Sequence, residues 1–190
     1  PATRALLRRF SSPVKSAYSM PGPIGIEVGM DAVHLCQLTR IDQSHWAVRA
    51  RLSLAYGGSR ESLLSDPRRF KRLVRQGMRG AKFSGKLAVS VMPMEQVRFT
   101  PITYVLGRDG HEAAILKMVA DRVEGPIQDY VVDYLPVRGS AEQEESLALA
   151  AVARRDDVAA YLDLLGDAGF QVDALDIGPA AIQRLIGTMY

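Results

Sequence analysis

The sequence predicts an α/β fold: three consecutive antiparallel strands lead into a helix and another strand, and a strand-helix-strand-strand unit is inserted before a closing helix, strand and helix. Three observations carry that expectation. Trp46 to Leu54 alternates Trp46, Val48, Ala50, Leu52 and Leu54 with Ala47, Arg49, Arg51 and Ser53, the period of two of a strand with one wet face. Phe70, Leu73, Val74 and Met78 recur at helical spacing behind Asp66-Pro67, an N-cap followed by a proline at the first helical position, where its missing N–H costs nothing. Asp156 to Ala168 carries Val158, Tyr161, Leu162 and Leu165 as a packing stripe and ends on Gly169, the residue best suited to the left-handed turn that closes a helix.

The remaining elements follow in chain order. Residues 1–19 read as a basic amphipathic tail with Leu6, Leu7 and Phe10 on one side, and Pro21-Gly22-Pro23 punctuates the start of the folded body. Ile24 to Val28 and Ala32 to Leu38 are short apolar strands joined by the tight connection Gly29-Met30-Asp31. The helix opened by Asp66 runs to about Met78, and Leu87 to Val91 is an apolar run of the kind buried on both faces of a sheet. Gln96 to Ile102 is a strand. Asp109-Gly110 introduces a helix from His111 to Val123 with Ala114, Ile115, Met118 and Val119 inward, stopped by Gly125-Pro126. Tyr130 to Val137 and Ser146 to Val152 are strands separated by the acidic loop Gly139 to Glu145. Val172 to Ile177 is a strand, and Gly178-Pro179 opens a last helix through Ile182, Leu185 and Ile186. With the chain stopping soon after that helix, a fragment of a longer protein is expected.

The bulk composition narrows the function classes. With 47% apolar and 24% charged residues in 190, the chain is an ordinary globular sequence rather than a disordered one. Its longest apolar runs, Leu87 to Met92 and Leu147 to Val152, fall far short of the roughly 18 residues a membrane-spanning helix needs. A single cysteine, Cys36, permits no internal disulfide, and no secretory leader opens the chain, so a reducing cytoplasm is expected. The net charge of +3 conceals an asymmetry. Residues 1–19 hold four basic groups and no acid, residues 60–86 hold nine basic against two acidic, and residues 109–190 hold fifteen acids against six basic groups. Such polarity marks a surface that meets a charged partner.

Three stretches are similar to one family. Ile24-Gly-Ile-Glu-Val-Gly-Met-Asp-Ala-Val-His-Leu-Cys-Gln-Leu38 resembles the opening strand-turn-strand of PilM-like proteins, which usually reads I-G-I-D-I-G-S-S-S-V-K-L-V-E-L. Ala114 to Tyr134 resembles the family segment in which a helix ends and I-P-F-P-x-x-E-V-x-x-D-F follows, and Leu147 to Gly178 resembles its strand, Y-L-E-L-L-E-A-A-G helix and following strand. The likeness runs over about residues 22–187 and extends to cytoplasmic domains of the HofM, MshI and GspL type. It implies the N-terminal half of an actin-like ATPase (ribonuclease H-like) fold. Residues 22–92 with 171–190 would form subdomain 1A, residues 93–170 the inserted subdomain 1C, and subdomains 2A and 2B would be absent. It further implies a scaffold of a type IV pilus or type II secretion-like assembly platform at the cytoplasmic side of the bacterial inner membrane. The groove between the two subdomains would take the cytoplasmic tail of a PilN-like membrane protein, with other platform subunits or further copies as additional partners.

In that family the first turn cradles phosphate: glycine admits the backbone, a neighbouring hydroxyl donates, and an acid helps hold the metal. Glu27 and Gly29 match the acid and the glycine. Met30 and Asp31 stand where small hydroxyl residues are preferred, and His34 replaces the usual lysine. Methionine offers no donor and a carboxylate repels phosphate, so Glu27, Gly29, Met30 and Asp31 form a degenerate phosphate loop. No cofactor is expected here, although ATP with magnesium could bind the whole parent. Asp176-Ile177-Gly178 superficially repeats the motif and reads as a strand-to-helix cap.

Other chemistry has little support. His34, His45 and His111 are scattered, Cys36 reads as an inert thiol buried in a strand, no G-x-S-x-G elbow exists, and the acid pairs Asp156-Asp157 and Glu144-Glu145 read as a helix start and a solvated loop. A metal site and an independent enzyme are therefore not expected. The sharpest remaining feature is the basic helix, with six cations from Arg68 to Arg79. Arg68, Arg72, Arg75 and Arg79 are the candidate partner-binding residues. Single-strand nucleic-acid binders interleave aromatics with such charge, and here Phe70 belongs to the packing side, so a protein or lipid surface ranks above nucleic acid. The rival readings are half of a working ATPase and, behind it, a nucleic-acid-binding module.

Overall fold

The computed structural model describes residues 20–189 except 44, 106–109 and 138–144. The basic tail and most of the acidic loop expected from the sequence lie outside those residues. The chain divides into two compact units, one running through Ser90 and taking back Leu164–Leu175, the other holding Val91–Asp163 and Asp176–Tyr190.

The first unit is built on a five-stranded sheet. Its strands are β1 (Pro21–Val28), β2 (Ala32–Arg40), β3 (Trp46–Ala55), β4 (Leu87–Val91) and β8 (Gln171–Asp176), in the order β3-β2-β1-β4-β8. β1 and β2 pair antiparallel, as do β2 and β3, while β1 and β4 run parallel, so β3 is an edge strand. A short helix α1 (Arg60–Leu64) precedes α2 (Pro67–Gly77). Asp66 caps α2 as its sequence demands, its carboxylate accepting the Arg69 N–H at 2.9 Å. One sheet face is the core: Ile24, Ile26, Val28, Val33 and Leu35 are buried together with Leu63 of α1 and Phe70 and Val74 of α2. Each such side chain contributes roughly 1.5–3 kcal/mol by leaving water.

A buried amide ties the sheet to the loop before β4. Gln37 donates through Nε2 to the Gly22 and Ser84 carbonyls at 2.7 and 2.8 Å and accepts the Ser84 N–H at 2.8 Å. With its donors and acceptor paired, it avoids the penalty of about 1–3 kcal/mol for an orphaned buried polar group. The close approach of α2 to β3 depends on Gly77, where an added Cβ would fall 2.1 Å from Leu54 Cδ2.

The second unit is a three-stranded antiparallel sheet of β5 (Arg98–Val105), β6 (Tyr130–Val137) and β7 (Glu145–Arg154), with β7 in the middle. It packs against α3 (Gly110–Ala120) around Ile102, Tyr104, Ile115, Val119, Ala148, Ala150 and Val152. This is the expected order of strand, helix, strand and strand. The Tyr104 hydroxyl bonds His111 Nδ1 at 2.8 Å, and Arg155 donates from Nε to the Gln128 carbonyl at 2.9 Å. Helix α4 (Arg155–Ala168) belongs to the second unit through Asp163 and to the first from Leu164, and ends at Gly169 with φ of 108°. Helix α5 (Gly178–Met189) follows β8.

Pro21-Gly22-Pro23 starts the body as expected, as the opening of β1, with a register shift between Pro21 and Ile24. Three expectations need correction. Cys36 is exposed rather than buried, because β2 alternates and its inward positions go to Val33, Leu35 and Gln37. Leu87 is 42% exposed, so β4 is not buried throughout. In β3 the pairing slips between Gln37↔Ala50 and Leu38↔Val48, leaving Arg49 as an extra residue. A one-residue bulge reverses the faces beyond it, which keeps Ala50, Leu52 and Leu54 inward and turns Trp46 and Val48 out.

Candidate functional site

Two of the candidate sites lie in the first unit. The turn between β1 and β2 brings Glu27, Gly29, Met30 and Asp31 together, with Glu27, Met30 and Asp31 exposed. The Gly29 N–H, the donor a phosphate loop would present, is spent on the Ala32 carbonyl at 2.9 Å. The neighbouring carbonyls are occupied as well. Tyr56 donates its hydroxyl to the Gly29 carbonyl at 2.6 Å and its N–H to the Asp31 carbonyl at 3.0 Å, and Arg60 Nη1 reaches the Val28 carbonyl at 3.1 Å.

What Gly29 makes room for is protein. A Cβ there would lie 3.1 Å from the Ala32 oxygen and 3.2 Å from His34 Nε2. The His34 ring is held by Ser53 Oγ, 2.9 Å from its Nδ1, and stands opposite Glu27 in the ladder. A turn with its glycine donor consumed, two carboxylates and a methionine is poorly suited to a triphosphate. Burial pushes the Tyr56 phenol above its ordinary value of 10.0, with Arg60 pulling it down and the Asp31 carboxylate adding to the rise. The clamp is thus favoured in its neutral, donating form.

The second candidate is the outer face of α2. Arg68, Arg72, Arg75 and Arg79 are all exposed at intervals of four, three and four residues, a spacing that aligns them along one helix face, Arg79 lying just past the helix end. Among the described residues none of the four has an ion-pair partner. Arg69, by contrast, is half-buried and serves as a brace, donating to the Gly57 carbonyl and to Ser62 Oγ. Beside the stripe lies an open depression of about 240 Å³ lined by Ala55, Tyr56, Gly57, Arg69, Arg72, Leu73 and Gln76. It combines a cationic rim at Arg72 with an apolar wall at Leu73, and so suits an acidic peptide carrying an apolar side chain.

The sequence reading missed Tyr56, Arg60 and helix α1. Ser59, whose side chain accepts the Ser62 N–H at 3.1 Å, was the available signal, an N-cap three residues ahead of its partner. Among the described residues no group of His, Cys, Asp and Glu is placed to hold a metal ion. In the second unit Asp176 is half-buried; its carboxylate accepts the Ile177 N–H at 2.8 Å and pairs with Arg184 of α5, a structural role.

No protein-family profile and no curated protein matches the sequence. Among solved structures the chain is similar to one in the PilM-PilN type IV pilus biogenesis complex, with a TM-score of 0.70 and 23% identity over 86% of this chain and 49% of that one. The chain thus spans about half the length of that protein. The cytoplasmic domain of EpsL, an inner membrane component of the type II secretion system of Vibrio cholerae, matches with a TM-score of 0.47 and 15% identity over 81% of this chain and 56% of that one, too distant to bear on function. The fold is the actin-like α/β fold expected from the sequence. Among the described residues no helix is long and apolar enough to cross a membrane.

Proposed function

We propose that this chain is a docking subunit of a type IV pilus or type II secretion-like assembly platform. It would sit at the cytoplasmic face of the inner membrane and bind the cytoplasmic segment of a PilN-like membrane partner. In this reading residues 22–92 with 171–190 act as subdomain 1A and residues 93–170 as subdomain 1C. The observation that carries it is the likeness of 86% of the chain to a chain solved in a PilM-PilN complex. The first turn supports docking over hydrolysis, because the Gly29 N–H and the Gly29 and Asp31 carbonyls are already taken up by the protein's own hydrogen bonds. The α2 stripe supplies the charge: Arg68, Arg72, Arg75 and Arg79 steer an acidic segment towards the depression beside Arg72.

The test uses the cytoplasmic N-terminal tail of the membrane protein encoded next to this chain, as a labelled peptide, with binding followed by fluorescence anisotropy. The wild-type chain binds it, and Arg72→Glu with Arg75→Glu weakens binding about tenfold or more, with most of the difference disappearing at high salt. Absence of binding by the wild type, or equal binding by the charge-reversed chain, refutes the reading. Tight binding of ATP with magnesium that is lost on changing Gly29 would favour the nucleotide-binding alternative.

A further inference from the structure

The bulge at Arg49 has a consequence on the sheet face away from α2. Beyond it Trp46 and Val48 point outward, 53% and 59% exposed, and the register sets Val48 beside Leu38 and Trp46 beside Arg40. Leu38 is 41% exposed, and Ile41 and Met20, at the same end of the strands, are 64% and 68% exposed. The Trp46 ring lies across the sheet, its Cζ3 within 3.9 Å of the point a Cβ on Gly22 would occupy, with the Arg40 guanidinium 5.7 Å from its centroid. Arg40 is itself held, donating to the Asp42 and Gln43 carbonyls at 2.8 Å. Five large apolar side chains and a guanidinium therefore share one corner of the first unit.

Charge identifies what covers them. The nineteen residues that lead into Met20 carry Arg4, Arg8, Arg9 and Lys15 and no acid, and β3 adds Arg49 and Arg51. Asp42, an acid in the loop between β2 and β3, lies 2.8 Å from His45 Nδ1. Two copies brought together here would oppose Arg40, Arg49 and Arg51 of each, and a bulged edge strand bearing two arginines is a poor template for strand addition. A tryptophan beside arginine, with isoleucine, methionine and valine around it and a basic segment adjoining, matches the interface of an anionic bilayer. We propose that this corner, with Met20, Leu38, Ile41, Trp46 and Val48 around Arg40, is a direct contact site for an anionic lipid surface. The site is independent of the α2 face, so the peptide experiment and the lipid experiment fail or succeed separately.

Trp46 is the only tryptophan in the chain, so it reports on itself. The full chain is mixed with vesicles of phosphatidylcholine alone or of equal parts phosphatidylcholine and phosphatidylglycerol, then sedimented, and Trp46 emission is read with and without brominated phosphatidylcholine. Sedimentation with the anionic vesicles only, a blue shift and quenching by the brominated lipid are expected. Ile41→Asp and Val48→Asp, at exposed positions where folding is verified by circular dichroism, each lower the partition constant about tenfold. The inference is overturned if the chain does not sediment with anionic vesicles, or sediments with Trp46 unquenched, the tail then binding alone. It is equally overturned if both variants bind like the wild type, or if Trp46 shifts blue with rising protein concentration in the absence of lipid, a second copy then being the occupant.

Discussion

Replacing Gly77 by alanine tests how α2, which carries the basic stripe, is seated. In isolation the change favours the helix by up to about 1 kcal/mol, since alanine loses less backbone freedom than glycine. Here the new Cβ would stand 2.1, 2.7 and 2.9 Å from Leu54 Cδ2, Cδ1 and Cγ, far inside van der Waals contact. Because Cγ is included, turning the two methyls does not suffice, and either Leu54 leaves its rotamer or α2 moves off β3. Overpacking of this kind costs about 1–3 kcal/mol and outweighs the helix gain, for a net loss of roughly 0.5–2 kcal/mol. In a Leu54→Ala background the obstacle is gone, and the same substitution is expected to stabilise by about 0.5–1 kcal/mol. Urea unfolding followed by circular dichroism, analysed as a double-mutant cycle, should give a coupling of about 1–3 kcal/mol. If Gly77→Ala stabilises both backgrounds equally, the close approach of helix and strand is wrong.

Further outcomes follow from the first turn and from β2. Because the Tyr56 phenol is raised above 10.0 in the folded chain, the folded state holds that proton more tightly. The stability this provides is complete below pH about 10 and is lost as pH rises through the folded value; Tyr56→Phe should flatten the alkaline fall in unfolding midpoint, and an unchanged fall would refute the clamp. Cys36, being exposed, should react with a thiol reagent in the native state without denaturant, whereas protection until unfolding would restore the buried reading.

Much of the architecture was legible because it rests on local chemistry. Asp66-Pro67 announced α2, Gly169 announced the end of α4, and the spacing of Ile115 and Val119 announced the buried side of α3. The exposed stripe of Arg68, Arg72, Arg75 and Arg79 also followed from helical periodicity, since Phe70 and Val74 had already claimed the inward side. Two of the misreadings share one cause. Alternation along β3 and the burial of Cys36 were judged along a single strand, while the face a strand residue occupies is set by the register with its neighbour.

The sequence by itself determined the order of elements and the placing of positive charge on α2. These depend on residues close together in the chain. Only the tertiary structure decided that Tyr56 and Arg60 occupy the turn's carbonyls, that Gly77 lets α2 sit against Leu54, and that the extra residue at Arg49 turns Trp46 and Val48 outward. Each of those depends on partners between roughly ten and thirty residues away, brought together by strand pairing and helix packing that no local pattern specifies.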